Sequence, residues 1–262
     1  MKTIAIVQAR LGSTRLPNKV LIPLAGRPAI LQMMDRVSRA ETLDEVWLAT
    51  GDDTGNDLLA STVADANYPV FRGSESDVLD RFARLADQAE ADTVVRLTGD
   101  CPLHDSEVID EVVAAFQMQN DLEYGSNIFP ATYPDGLDTE VFTAEILRRV
   151  AASSQNQMER EHVTLGIHRQ YHETDRPDVV NIEAPADFSH LRWTLDTPED
   201  AAFIATVYDE LFPQNPMFTW FDILALLTRR PDLLAINQAH IRNEGVMNAI
   251  SAGGLQTGST TP

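Results

Sequence analysis

The sequence predicts an α/β fold built on a mostly parallel sheet with helices on both faces, and three observations carry that reading. Short apolar runs alternate with helical patterns in β-α-β-α order, which calls for right-handed crossovers and a parallel sheet. The first run, Ile4 to Val7, is continuously apolar, as a strand buried on both faces must be. That run and a later one, Thr93 to Thr98, each empty into a loop of charged and turn-forming residues, and ligands of such sheets sit beyond the carboxyl ends of the strands.

After Val7 the chain passes through Arg10, Gly12, Ser13, Arg15 and Lys19 before Val20 opens a new apolar segment. Arg and Lys in that position favour phosphates or carboxylates. Ile30, Leu31, Met34 and Val37 then recur at helical spacing within Pro28 to Arg39, with Pro28 suited to the first turn. Asp44 to Thr50 reads as a second strand, Gly51 to Gly55 as a polar turn, and Leu58, Leu59 and Val63 as the next helix. A short third strand, Pro69 to Phe71, leads through Arg72 and the Ser74 to Asp77 loop into a helix over Val78 to Glu90. Ser74 or Ser76 can cap that helix, and the same loop lies at the ligand end of the sheet; the two roles are compatible.

The fourth strand, Thr93 to Thr98, stops in Gly99-Asp100. It thereby places one carboxylate at the sheet edge, where it suits a hard cation such as Mg²⁺. Asp105 or Ser106 caps a helix through Val108, Ile109, Val112, Val113 and Phe116. From about 122 to 190 the rhythm breaks into a loop-rich stretch with the turn signal Pro134-Asp-Gly136. Helices are expected there near Ala144 to Ala151 and over Gln155 to Arg169, and a strand at Val179 to Ile182. Another strand, Leu191 to Leu195, ends in Asp196, after which Thr197, Pro198 and Asp200 form a capping-box-like helix start. Two closing helices are expected over 219–246. Residues 251–262 form a Gly/Ser/Thr tail expected to be disordered, which leaves 1–250 as one folded unit.

Composition narrows the function classes. The 262 residues, 44% of them hydrophobic, can bury a sizeable core. Forty acidic against twenty basic residues give a formal charge of −20, which argues against nucleic acid or an anionic membrane as a partner. Yet residues 1–34 contain Lys2, Arg10, Arg15, Lys19 and Arg27 and no Asp or Glu, so a positive island opens an acidic chain. No apolar run approaches the ~20 residues that span a bilayer. The first residues, with Lys2 as their only basic flank, lack the pattern of a secretory leader, so a cytoplasmic location is expected. The single cysteine, Cys101, excludes an intrachain disulfide framework.

The basic loop, Asp100 and Asp196 are expected at one end of the sheet. Cations that neutralise a triphosphate, with two carboxylates that hold Mg²⁺, are the parts required for nucleotidyl transfer with pyrophosphate as the leaving group. The sequence contains neither a Walker A motif nor Gly-x-Gly-x-x-Gly, so it supports neither P-loop nor dinucleotide chemistry.

Residues 10 to 19, Arg-Leu-Gly-Ser-Thr-Arg-Leu-Pro-Asn-Lys, resemble the signature loop of the cytidylyltransferases that make CMP-3-deoxy-manno-octulosonate and CMP-acylneuraminate, and more specifically their spore-coat polysaccharide biosynthesis branch. Phe71 to Phe82, Arg96 to Leu103, Tyr133 to Phe142, Arg160-Glu-His-Val-Thr164 and Arg192 to Asp200 echo the same pattern in the same order, over roughly residues 1 to 210. The resemblance implies a Rossmann-like nucleotide-diphospho-sugar transferase fold, with an inserted dimerisation and acceptor region and a homodimer. It implies Mg²⁺ on Asp100 and Asp196, and nucleotide contacts from Arg10, Gly12, Ser13, Arg15, Lys19, Arg72, Ser76 and Asp77. Lys19, Arg15 and Asp100 would carry the catalysis. Asp138, Glu140, Arg160 and His162 would face the acceptor and read its hydroxyls or carboxylate, or His162 would assist deprotonation. The pattern departs at Asn18, where Gly is usual; Asn also tolerates a left-handed backbone.

The expected activity is Mg²⁺-dependent transfer of CMP from CTP to an acidic or phosphorylated sugar-like acceptor, for surface polysaccharide or glycan biosynthesis. The rival reading is a glycosyltransferase consuming a nucleotide sugar. Such enzymes commonly bring an Asp-x-Asp pair to the metal, whereas the strand ends here, Gly99-Asp-Cys-Pro102 and Leu195-Asp-Thr-Pro198, supply single aspartates.

Overall fold

The computed structural model describes residues 1–119, 121–168, 179–239 and 242, so the expected tail and the last residues of the closing segment lie outside it. The elements run in the expected alternation. Strand β1 (Thr3–Gln8) precedes a hairpin of β2 (Pro23–Leu24) and β3 (Arg27–Pro28), then α1 (Ala29–Val37), β4 (Glu45–Gly51), α2 (Asp57–Asp65), β5 (Val70–Gly73), α3 (Val78–Gln88), β6 (Thr93–Thr98) and α4 (Ser106–Gln117). The second half adds β7 (Tyr124–Ser126), β8 (Glu140–Thr143), α5 (Ala144–Ser153), α6 (Gln157–Glu161), β9 (Val179–Asn181), α7 (Pro198–Leu211) and α8 (Trp220–Arg229).

Seven strands form one sheet in the order β5-β4-β1-β6-β8-β7-β9, of which β5, β4, β1 and β6 are mutually parallel. The order reverses between β1 and β6, which pair directly with Gln8 opposite Thr98. That junction is the switch point at which an open α/β sheet binds ligands. Where the sequence rhythm breaks, β8 runs antiparallel to β6. The sheet is thus mostly parallel with helices on both faces.

The run Ile4 to Val7 is buried because it serves two cores. Ala5 and Val7 pack with Val95 and Leu97 under α1, α2 and α4, whereas Ile4 and Ile6 pack with Phe82, Leu79 and Leu147 of α3 and α5. A third apolar cluster lies around α7 and α8, with Trp193, Leu195, Phe203 and Trp220. Among the described residues no helix is long and apolar enough to cross a membrane.

Four local expectations need correction. Helix α3 is capped by Asp77, whose carboxylate accepts from Asp80 N at 3.0 Å; Ser74 Oγ instead accepts from Asp77 N at 3.1 Å, one step outside the cap. The helix expected over Gln155 to Arg169 is interrupted after Glu161, where Val163 takes φ 40, a left-handed conformation that a β-branched residue does not hold within a helix. Leu191 to Leu195 is extended but forms no strand. Its amides bond to separate loops, Trp193 N to Asp135 O at 2.7 Å and Leu195 N to Asp100 O at 2.7 Å. Among the described residues the closing segment has one α-helix, α8, followed by a 3₁₀ turn over Pro231–Ala235, and the rest of the expected span lies outside them.

The β2–β3 hairpin turns through Ala25 at φ 47 and Gly26 at φ 77, the positive pair of a type I′ turn. Ala25 is exposed and carries the left-handed cost that Asn tolerates better. Ala25→Asn is therefore expected to raise stability by about 0.5–1 kcal/mol, read as a higher urea midpoint at unchanged m-value.

Candidate active site

Because Gln8 and Thr98 are in register, the loops that follow β1 and β6 leave the sheet side by side. Gly99 permits this approach: its amide donates to Gln8 O at 2.8 Å, and a Cβ there would fall 2.7 Å from Ala9 Cβ. The β1 loop then turns at Asn18, which takes φ 55 and ψ 26, so Asn does hold the left-handed position expected of it. The turn delivers Lys19 to the mouth of the sheet. Its ammonium donates to Asp100 Oδ2 at 2.7 Å and to Asp196 Oδ1 at 2.6 Å. Sequence positions 19, 100 and 196 thus meet at one point.

Asp196 is held from behind by a buried network. Arg192 donates through Nε and Nη2 to both oxygens of Asp200, each at 3.0 Å, through Nη2 to Asp196 Oδ2 at 3.1 Å, and through Nη1 to Asp135 Oδ2 at 3.2 Å. Asp200 is fully buried and also closes the capping box of α7 with Thr197. Asn237 completes the brace, donating to Arg192 O and to Asp200 Oδ1. Arg15 reaches the same Asp196 oxygen at 3.3 Å.

Burial works against the charge on Lys19, but the two carboxylates outweigh it and hold the ammonium's pKa above its ordinary value. Burial likewise opposes the charge on Asp100, yet Lys19 pulls that carboxyl down to about 2. Both groups are therefore charged at neutral pH.

Two adjoining cavities flank this point. One, of about 340 Å³, is lined by Arg10, Gly12, Ser13, Arg15 and Lys19 of the β1 loop together with Asp100 and Asp196. The other, of about 550 Å³, is lined by Asp138, Glu140 and His162, and shares Arg10, Arg15, Asp100, Asp196 and His162 with the first. Arg10 stands between Glu75 at 3.3 Å and Glu161 at 4.0 Å.

Four expected site residues are placed elsewhere. Arg72 ion-pairs with Asp57 at 2.7 Å and donates to the carbonyls of Gly51 and Asp53, which points it toward α2. Asp77 spends one oxygen on the α3 cap and the other on Arg160 Nε at 2.7 Å. Arg160 also donates to the carbonyls of Ala151 and Ser154, so the pair ties α3, α5 and α6 together. Ser76 is exposed beside Ser74. None of the four lines either cavity.

Glu140 does line the second cavity, but its carboxylate is engaged by Arg96, by Tyr124 Oη at 2.8 Å and by His168 Nε2 at 3.4 Å. Burial would raise its pKa, yet Arg96 and His168 hold it well below the usual carboxylate range. A carboxyl depressed in the fold adds stability above its unfolded pKa and loses it as pH falls toward the folded value. Acid unfolding is accordingly expected to steepen below about pH 4.3. Glu140→Gln, which leaves Arg96 without its counter-ion, should cost about 3 kcal/mol at pH 7 and flatten that acid limb, as denaturation at a series of pH values will show.

Several lining residues went unmarked in the sequence, namely Glu75, Arg96, Asp135, Glu161 and Arg192. For all five a signal was present, since each lies inside a motif noted for other residues. Burial and the neighbouring Asp138 push the Asp135 carboxyl up to about 7, and burial also raises that of Asp138, against Arg242, which reaches back to pair with it.

Comparison with known proteins shows the family of the chain. Residues 4–211 match the family model described as cytidylyltransferase. The spore coat polysaccharide biosynthesis protein SpsF of Bacillus subtilis is 34% identical over 242 residues, covering 89% of this chain and 97% of that protein. A 3-deoxy-manno-octulosonate cytidylyltransferase of Hydrogenovibrio crunogenus is 33% identical over 118 residues, 45% of this chain and 48% of its own length. Among solved structures, a cytidylyltransferase from Leptospira borgpetersenii superposes with a TM-score of 0.84 at 27% identity, covering 93% of this chain and 98% of that one. With its β1 loop, Gly99-Asp100 and Asp196 brought to one switch point, the chain belongs to the cytidylyltransferase family and is a CTP-dependent nucleotidyltransferase.

Proposed function

We propose that the chain transfers CMP from CTP to an oxygen of an acidic or phosphorylated sugar-like acceptor, with Mg²⁺ held by Asp100 and Asp196. The observation that carries this reading is the pair of cavities that share Asp100, Asp196 and Arg15, one lined by the basic loop and the other by Asp138, Glu140 and His162. Two substrates bound on the two sides would meet over the aspartates. A sugar-acid acceptor is named for the Hydrogenovibrio relative, which supports that class here.

The donor set fits the metal. Asp100 and Asp196 reach one cation, Lys19 Nζ, with separate oxygens, and hard carboxylate oxygens suit Mg²⁺, which completes its shell with water and phosphate. When bound, the metal would neutralise charge on the phosphates as pyrophosphate departs. In this reading Arg10, Ser13, Arg15 and Lys19 bind and orient the triphosphate from the opposite wall. The acceptor oxygen forms its bond to the α-phosphorus while the bond to the bridging oxygen breaks. His162 lines both cavities, and burial lowers its pKa, so it is neutral at pH 7 and able to take the acceptor's proton.

A second copy of the chain belongs to the same reading. Phe129 and Val179 are 61% and 43% exposed close to β9 at the sheet edge, and sedimentation equilibrium would return a monomer if that apolar surface took no partner. The test of the activity is incubation with CTP, Mg²⁺ and a panel of sugar acids and sugar phosphates. The expected result is release of pyrophosphate together with a CMP conjugate. No pyrophosphate release with any acceptor of the panel would overturn the acceptor class proposed here.

A further inference from the structure

The Lys19 ammonium occupies the position that a divalent cation would need. It bonds to Asp100 Oδ2 and Asp196 Oδ1, its side chain is only 13% exposed, and the remaining Asp196 oxygen is taken by Arg15 and Arg192. Arg192 is matched by Asp200 and Asp135. Lys19 and Arg15 thus offset charge on Asp100 and Asp196, so a lone dication approaching the pair is less strongly attracted than it would be by two bare carboxylates. A triphosphate changes this balance. It brings several negative charges into the cavity that Lys19 also lines, and the flexible four-carbon stem lets the ammonium swing onto phosphate without backbone movement.

We infer that Lys19 is an internal competitor for the metal: without nucleotide its ammonium holds the place between Asp100 and Asp196, and it leaves for the triphosphate when CTP binds, so that metal and nucleotide load together. The inference rests on the metal site proposed above. It separates the two tasks of Lys19 in time, first as counter-ion to the carboxylates and then as ligand to the phosphates.

The probe is Mn²⁺, titrated against the full chain and followed by its electron paramagnetic resonance signal. Without nucleotide, Lys19→Met should bind Mn²⁺ at least about tenfold more tightly than the natural chain, because removing a cation at contact distance exposes both carboxylates to the metal. Lys19→Arg, which keeps the charge, should stay weak. Equal or weaker Mn²⁺ binding by Lys19→Met overturns the inference. A natural chain that takes up no more Mn²⁺ in the presence of a non-hydrolysable CTP analogue than the analogue does alone overturns the metal site itself, which is a separate outcome.

Should Lys19→Met fail to fold, the natural chain still decides. Lys2 and Lys19 are its only lysines, so isotopic labelling of lysine side chains gives two ammonium signals, with Lys2 as reference. The Lys19 signal is expected to stay in place with Mg²⁺ alone and to move with Mg²⁺ and the analogue together. An equal movement with Mg²⁺ alone overturns the inference.

Discussion

Asp100→Asn is expected to lower pyrophosphate release by at least about 10³-fold while leaving the fold in place. The side chains are nearly the same size, and the contact that fixes this loop, Leu195 N to Asp100 O, is a backbone bond that the substitution leaves untouched. What disappears is a charge. Asp100 is held ionised by Lys19, and Asn offers neither that charge nor a strong metal ligand. The assay is turnover of CTP with whichever acceptor supports the natural enzyme, beside a circular dichroism melt to show that the variant is folded. Turnover within about tenfold of the natural chain would remove Asp100 from the reaction.

The largest loss of stability is expected at Arg192. Arg192→Met strips the counter-ion from Asp200, which is fully buried, and from Asp135, which is 5% exposed. Removing one partner of a buried ion pair costs about 3–5 kcal/mol, because the other charge is left uncompensated in the interior. The urea midpoint should fall accordingly. Replacing Asp200 by Leu in the same chain should restore part of the loss, less the hydrogen bonds that Asp200 accepts from the amides of Asp196 and Thr197. A single-variant cost below about 1 kcal/mol would show that Arg192 is not the counter-ion that keeps these carboxylates buried.

What the sequence disclosed was local. The double burial of Ile4 to Val7, the stop at Gly99-Asp100 and the cap at Thr197 and Asp200 each lie within a few residues, so propensity and periodicity expose them. The family motifs extended that reach to Asp138 and His162. What stayed hidden depended on partners distant in the chain. Asp77 and Arg160 are 83 residues apart, and only their contact shows that they brace helices beside the cavities. Leu191, Trp193 and Leu195 alternate in sequence like a strand, but their amides go to three separate places, Phe188, Asp135 and Asp100, and the intervening Arg192 and Thr194 are buried as well. Alternation reports which residues are apolar and says nothing of which backbone answers an amide. Likewise the apolar positions of 155–169 cannot reveal that Val163 turns left-handed and breaks the helix.

The hydrogen bond from the Leu195 amide to the carbonyl of Asp100 joins residues 95 positions apart, each adjacent to or bearing one of the two central carboxylates. It works as a caliper. The gap between the aspartates is set by peptide geometry, so warming should not widen it gradually. Loss of turnover and loss of tertiary structure should therefore share one melting midpoint, and the Leu195 amide should exchange its proton with solvent only as fast as the β1–β6 centre of the sheet opens.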